Sequence, residues 1–521
     1  VRPLPGRIEE SFLRRVERLP EETRLLLVVA AAEPVGDPAL VWRAAGRLGI
    51  PAQAAMPAAQ ALLLEFGARV RFRHPLVRSV VYRSASLSDL QKVHAALAEA
   101  TDPEVDPDRR AWHRAQATVG PDEDVAAELE RSADRAQARG GLAAAASLER
   151  SAELTLDPAR RAQRVLTAAQ AKHRAGAPDA ALGLLAAAQA GSLDEVGRAR
   201  VDQLRAQIAY SQDRGSEAPR LLLRAAKRLE SLDAGLARET YLDALWAAQF
   251  AGRLARGGEL LEVARAALAA PPAQPARTSD LLLDGLATAF VEGYVSGAPM
   301  LKQAVSAFRR RSMSSEEELR WLWLAGVVAL NLWDDESFEI LADRHIQLGR
   351  KTGALSVLPI AMSARITAHT FAGELLAAAE LVEEVRTVTE AIGTRFPPYG
   401  PLTVAAWQGR EAEVTKLIET TLREVTARGE GQGVATVHHA RAVLYNGLGH
   451  YAEALVAAIA TQLPEAEGLT ISNLALPELI EAAARTGQAE QGTGALRRLS
   501  AMTRASGSDW ALASRRARGR C

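Results

Sequence analysis

The sequence predicts an all-α chain in which a small N-terminal module precedes a long array of helices. Three observations carry that expectation. Apolar residues make up 48% of the 521 residues, while Phe, Trp and Tyr together make up only 5%, a balance that suits small and straight-chain residues in close-packed helices. Apolar positions recur with helical spacing over most of the chain. Glycines interrupt that pattern at a nearly constant interval.

The first hundred residues read as a compact module. Ile8, Phe12, Leu13 and Val16 mark one face of a first helix. Pro20 stands where a second helix starts, over Glu21 to Ala32, and Pro38 sits near the start of a third; proline suits a first helical turn, whose N–H groups have no partner to lose. The period then changes. Leu62 to Phe66 and Arg69 to Arg73 read as two short strands about Gly67 and Ala68, with Val70 and Phe72 alternating with arginines. Three helices and a hairpin near 62–73 predict a winged-helix-like module over residues 1–110.

From 111 to 510 the sequence predicts helical repeats. Gly176, Gly215 and Gly252 lie 39 and 37 residues apart, and Gly373, Gly409, Gly449 and Gly487 lie 36, 40 and 38 apart. Two further turns, at Gly293 to Gly297 and at Trp333-Asp-Asp335, fall between the two sets. One helix pair every ~40 residues is the pattern of an α-solenoid. In Ala440 to Leu455, Gly449 supplies the tight turn, Tyr451 covers the pair and Ala454 lets two helices approach, with Pro464 closing the second helix. This unit resembles the tetratricopeptide repeat. Gly176 followed by Ala181 and Leu182 keeps the same offset, whereas the units at Gly215, Gly252 and Gly409 keep the turn and lose the alanine. The Arg-rich tail, 511–521, has no apolar periodicity and is expected to be disordered.

Lysine and arginine number 63, as do aspartate and glutamate, so no net field draws the molecule to nucleic acid or to an acidic membrane. The one cysteine, Cys521, permits no internal disulfide and suits a reducing compartment. The apolar run Leu25 to Ala32 is far short of the ~20 residues that cross a bilayer. A cytoplasmic location, without a membrane partner, is the expectation.

Several segments resemble one family. Arg7 to Arg15, Leu19-Pro20, Arg24 to Leu27, Glu33 to Pro38 and Phe72-Arg-His-Pro-Leu-Val-Arg-Ser-Val-Val-Tyr82 are similar to the region after the nucleotide-binding domain in large ATP-binding LuxR-type transcriptional regulators. Ala111 to Ala115, Asp122 to Ala126 and Asp509 to Leu512 resemble later stretches. The resemblance implies a P-loop ATPase before this region and a LuxR-type helix-turn-helix after it. ATP and DNA would then be bound outside this chain, which needs no cofactor of its own. No stretch matches Gly-x4-Gly-Lys-Ser/Thr; Gly349-Arg-Lys351-Thr352 lacks the first glycine. By the same resemblance His74, in the Arg-His-Pro-Leu motif, corresponds to the winged-helix histidine of related signal-transduction ATPases, which touches nucleotide phosphates. Its alternative role is to cap the hairpin before Pro75.

Catalytic patterns are sparse. Asp335 and Glu339, at i and i+4, share a helix face and are the best candidates for holding Mg²⁺, although acidic residues also suit the helix N-terminus expected there. Gly429-Glu-Gly431-Gln-Gly433 evokes a phosphate-cradling loop, but it follows a helical run instead of a strand and reads better as a loop between repeats. His438 and His439 are adjacent, so they point to different sides of a helix and cannot chelate together. Trp321 and Trp323 also diverge, so at most one faces an inner groove. The arginines of 515–520 read as solvated. The function expected is non-catalytic: the sensor and transducer region of a LuxR-type regulator, binding a protein or small-molecule effector through its repeats. A free-standing helical-repeat interaction scaffold is the alternative, and a metal-dependent all-α enzyme using Asp335 and Glu339 a minor one.

Overall fold

The computed structural model describes residues 4–137, 141–212, 216–310, 313–393, 396–462 and 471–512; Gly215, Pro464 and the tail beyond 512 lie outside the described residues. Among the described residues the one sheet is a two-stranded hairpin, and nearly all other regular structure is helical. The chain forms two compact units, Val1–Ala138 with Leu142–Ala168, and Arg139–Gly141 with Ala169–Cys521.

In the first unit α1 (Leu4–Glu17), α2 (Glu21–Ala32), α3 (Pro38–Arg47) and α4 (Ala55–Gln60) lead into β1 (Leu64–Phe66) and β2 (Val70–Phe72). Then come α5 (Pro75–Ser84), α6 (Leu87–Ala100), α7 (Pro107–Ala117), α8 (Glu123–Gln137) and α9 (Gly141–Glu153), and the division between units falls inside α10 (Pro158–Arg174). α2 is the centre of the core, with Leu26 to Ala32 all buried. Asp37 caps α3 by accepting from the Ala39 amide at 2.9 Å. The strands are antiparallel, with Glu65 opposite Arg71. They are shorter than the sequence predicts. Leu62 is excluded at φ +54, because α4 ends in a left-handed turn in which the Leu63 amide reaches back to the Ala58 carbonyl at 3.1 Å.

The first unit also runs past residue 110, where the sequence places the start of the repeats. The Asp- and Pro-rich stretch is only a short link, from which Asp106 caps α7. Ala111 and Ala115 of α7 then pack with Val125, Ala126, Leu129 and Leu154.

The second unit continues in helix pairs: α11 (Pro178–Ala190), α12 (Glu195–Gln212), α13 (Ala218–Leu229), α14 (Ala234–Ala251), α15 (Leu260–Ala269), α16 (Thr278–Val291), α17 (Tyr294–Arg309) and α18 (Ser315–Asn331). After these come α19 (Asp335–Thr352), α20 (Leu358–Ala372), α21 (Leu375–Ile392), α22 (Tyr399–Trp407), α23 (Glu411–Ala427), α24 (Gly431–Leu448), α25 (Tyr451–Thr461), α26 (Ile471–Leu474), α27 (Leu476–Arg485) and α28 (Ala489–Ser506). This is the helical-repeat array that the sequence predicts.

The turns follow one geometry. Gly176, Gly373, Gly409, Gly449 and Gly487 all take positive φ, the conformation that lets amides after a helix bond back to its last free carbonyls. After α24, for example, the amides of Gly449 and His450 reach Asn446 and Tyr445 at 3.2 and 2.9 Å. Gly252 ends α14 with φ +50. In the unit that lacks such a glycine, Trp333 takes its place at φ +57, and Asp334 caps α19 by accepting from the Ser337 amide at 3.0 Å. The turn expected at Gly293 to Gly297 is confined to Gly293. Gly297 lies inside α17, where an added Cβ would strike Ala289 and the Gly285 carbonyl of α16.

The array curls until distant members meet: α14 packs against α24, and α17 against α28. A Cβ on Gly431 would run into the Ala251 carbonyl, and one on Gly433 would meet the Tyr399 hydroxyl and Val425. Two glycines of the 429–433 run thus open α24 and allow close approach, so the segment is less a loop than a helix start. At the other contact, Ser506 and Ser508 donate their hydroxyls to the carbonyls of Leu332 and Trp333. The rings of Trp333 and Trp510 stand 5.0 Å apart.

Candidate functional site

The first helices of the pairs carry a stripe of half-buried residues at spacings of three and four. It comprises Gln207 and Tyr210 on α12, Glu239, Asp243, Trp246 and Phe250 on α14, Arg320, Trp323 and Val327 on α18, and His438, Arg441 and Tyr445 on α24. Spacings of three and four keep such residues on one helix face. The stripes of α12, α14 and α18 converge. Arg320 bridges Glu239 and Asp243 at 2.6 Å each, Arg277 also pairs with Glu239, and the Gln207 amide donates to Asp243 at 2.7 Å. Trp246 and Trp323 meet edge to face at 4.5 Å, and Tyr210 and Phe250 at 6.1 Å.

α24 adds Glu430 just before its first residue. That carboxylate is 5% exposed and accepts from the Tyr399 hydroxyl and from Arg428. Burial, then the negative charge of Glu430, pushes the phenols of Tyr210 and Tyr399 well above the usual range. Both stay neutral, and Tyr399 serves as a hydrogen-bond donor to Glu430. Arg238 likewise pairs with Asp280 at 2.8 Å, the two side chains 5% and 8% exposed. Losing one partner of such a buried pair typically costs about 3–5 kcal/mol. Beneath Trp246 a cavity of about 10 Å³, lined by Gln249, Leu286, Phe290 and Leu324 among others, has room for about one water.

The residues singled out by sequence have scattered fates. His74 is exposed and its Nδ1 accepts from the Leu76 amide at 3.1 Å, so it caps α5, with its ring 5.5 Å from Phe12. Beside it, an open groove of about 580 Å³ runs along the hairpin past Arg69, Arg71 and Arg73, with Arg73 paired to Glu65 at 2.8 Å. Asp335 and Glu339 are both exposed on α19, and Glu339 is engaged by Arg365 at 2.5 Å. Among the described residues no group of three His, Cys, Asp or Glu is placed to hold a metal, and no helix is long and apolar enough to cross a membrane. Trp321 is buried under Arg320, whose guanidinium lies 4.6 Å from its ring, while Trp323 joins the stripe. His439 is buried and His438 half-buried, on different faces as expected.

Sequence reasoning missed the stripe, which shows up only as polar or aromatic residues recurring at 239, 243, 246 and 250 and again at 438, 441 and 445. It also missed a buried chain in the first unit. The Tyr82 hydroxyl lies 2.8 Å from His94 Nε2, and His94 Nδ1 lies 2.9 Å from His113 Nδ1. Desolvation lowers His94 to about 4; desolvation, then the positive charge of His94 and Arg109, lowers His113 to about 3.

No protein-family model and no curated protein matches the chain. Among solved structures it is similar to a signal transduction ATPase with numerous domains, carrying a tetratricopeptide-repeat sensor, from Pyrococcus horikoshii. The identity is 11% and the TM-score 0.37, over 92% of this chain and 66% of that one. The chain thus spans just under two thirds of that protein.

Proposed function

We propose that this chain is a non-catalytic sensing region of the kind carried by ATP-dependent LuxR-type regulators, working in the cytoplasm beside an ATPase and a DNA-reading domain. The observation that supports the reading is the convergent stripe. A half-buried inner face that combines Trp246, Trp323 and Tyr210 with fixed charges at Glu239, Asp243 and Arg320 has the mix of aromatic anchors and oriented polar groups that binding surfaces use. An effector or protein partner on that face would be read out through the helices that carry it.

The isolated chain is expected neither to hydrolyse ATP nor to select a DNA sequence. It is expected to capture a partner or effector whose binding falls at least about tenfold in Trp323→Ala. ATP turnover or specific DNA binding by the chain itself would overturn the reading, as would capture indifferent to Trp323.

A further inference from the structure

In the second unit, buried and half-buried arginines come with carboxylates: Arg320 with Glu239 and Asp243, Arg344 with Glu318, Arg428 with Glu430. Arg441 of α24 is different. Its Nε is buried without a hydrogen-bond partner, and its guanidinium lies 5.9 Å from the ring of Tyr445. One turn earlier on the same face, Nδ1 of His438 is also buried without a partner. The second cation is Arg253, in the short helical turn Gly252–Leu254 that packs against α24. After burial itself, the positive charges of Arg441 and Arg253 hold the His438 pKa down, and among the described residues neither arginine is in an ion pair with a carboxylate.

We propose that Arg253, His438 and Arg441 form a binding site for the phosphate group of a small ligand, with the Tyr445 ring beside it. Like charges gathered in a half-buried place without a counter-ion are costly, and a bound anion removes the cost. A guanidinium fork presents paired donors to a tetrahedral oxyanion. A phosphate carries close to two charges and three acceptor oxygens, a better match to two guanidinium groups and an imidazole N–H than a carboxylate's single charge. Arg253 is exposed, so the site opens to solvent on its side. The site deepens, and rests on, the reading of the inner face as the effector surface.

The test is calorimetric titration of the full chain with inorganic phosphate and, separately, acetate near neutral pH. Saturable phosphate binding is expected, weakened by salt, tighter than acetate, and reduced at least about tenfold in Arg253→Gln and in Arg441→Gln. Arg386→Gln, at an exposed residue of α21 paired with Glu383 and Glu390, should bind as the parent does. Should Arg441→Gln melt early, Arg253→Gln at the exposed position carries the test alone. No binding up to about 10 mM, or unchanged affinity in Arg253→Gln, overturns the site, and equal affinity for acetate overturns the ligand class. If phosphate fails while partner capture still depends on Trp323, the anion site falls and the wider function stands.

Discussion

Trp333 holds a backbone conformation that costs an L-residue roughly 1–2 kcal/mol, in the place that glycine fills after α20, α22 and α24. What offsets it is burial: the ring is 3% exposed and stands against Trp510, and the carbonyl receives the Ser508 hydroxyl. Stripping a large buried aromatic costs about 3–5 kcal/mol. Trp333→Gly is therefore expected to destabilise by about 2 kcal/mol despite relieving the backbone, read as a lower urea midpoint. A variant as stable as the parent would mean that the C-terminal segment does not hold the ring. The turn itself was legible, because Asp334 and Asp335 suit a helix start. The conformation of Trp333 was not, since no local rule puts tryptophan there; it is set by Trp510, far along the chain.

At the scale of one helix, α24 carries two glycines with opposite roles. A Cβ on Gly447 would meet nothing within 4 Å, whereas one on Gly431 would strike the Ala251 carbonyl. Gly447→Ala should raise stability by about 0.5–1 kcal/mol, and Gly431→Ala should lower it by roughly 1–3 kcal/mol through overpacking. Thermal melting checks the signs, and faster amide exchange at 249–254 should accompany only the second change. Equal signs would mean that the approach of α14 to α24 is not a constraint. The repeat glycines were readable because each answers a local turn. Gly431 was visible as unusual, but its partner lies near residue 251, and so does Arg253 of the candidate phosphate site. A pairing made by curling of the array leaves no spacing to read.

Across the molecule, neutral histidines recur, His94 and His113 buried in the first unit, His345 and His439 buried and His173 half-buried in the second, lowered to about 4, or about 3 for His113, chiefly by desolvation. An unfolded histidine titrates near 6.5. Between that value and the folded one, the unfolded chain binds protons that the folded chain refuses, so acid favours unfolding. The histidine contribution is fully present above pH ~6.5 and is lost as pH falls toward about 4. Urea midpoints should thus fall steadily from pH 7 to pH 5, and more shallowly in His94→Gln with His113→Gln. A midpoint unchanged over that range would refute neutral burial.

The contacts of α14 with α24 and of α17 with α28 also bear on how such a chain can evolve. Arrays whose units touch only their neighbours gain and lose repeats freely. Here a unit of ~40 residues inserted between α19 and α24 would carry Gly431 away from Ala251 and set Ser506 and Ser508 opposite a different turn. The number of repeats is held as a core residue is held, and the array counts its units as a closed barrel counts its strands.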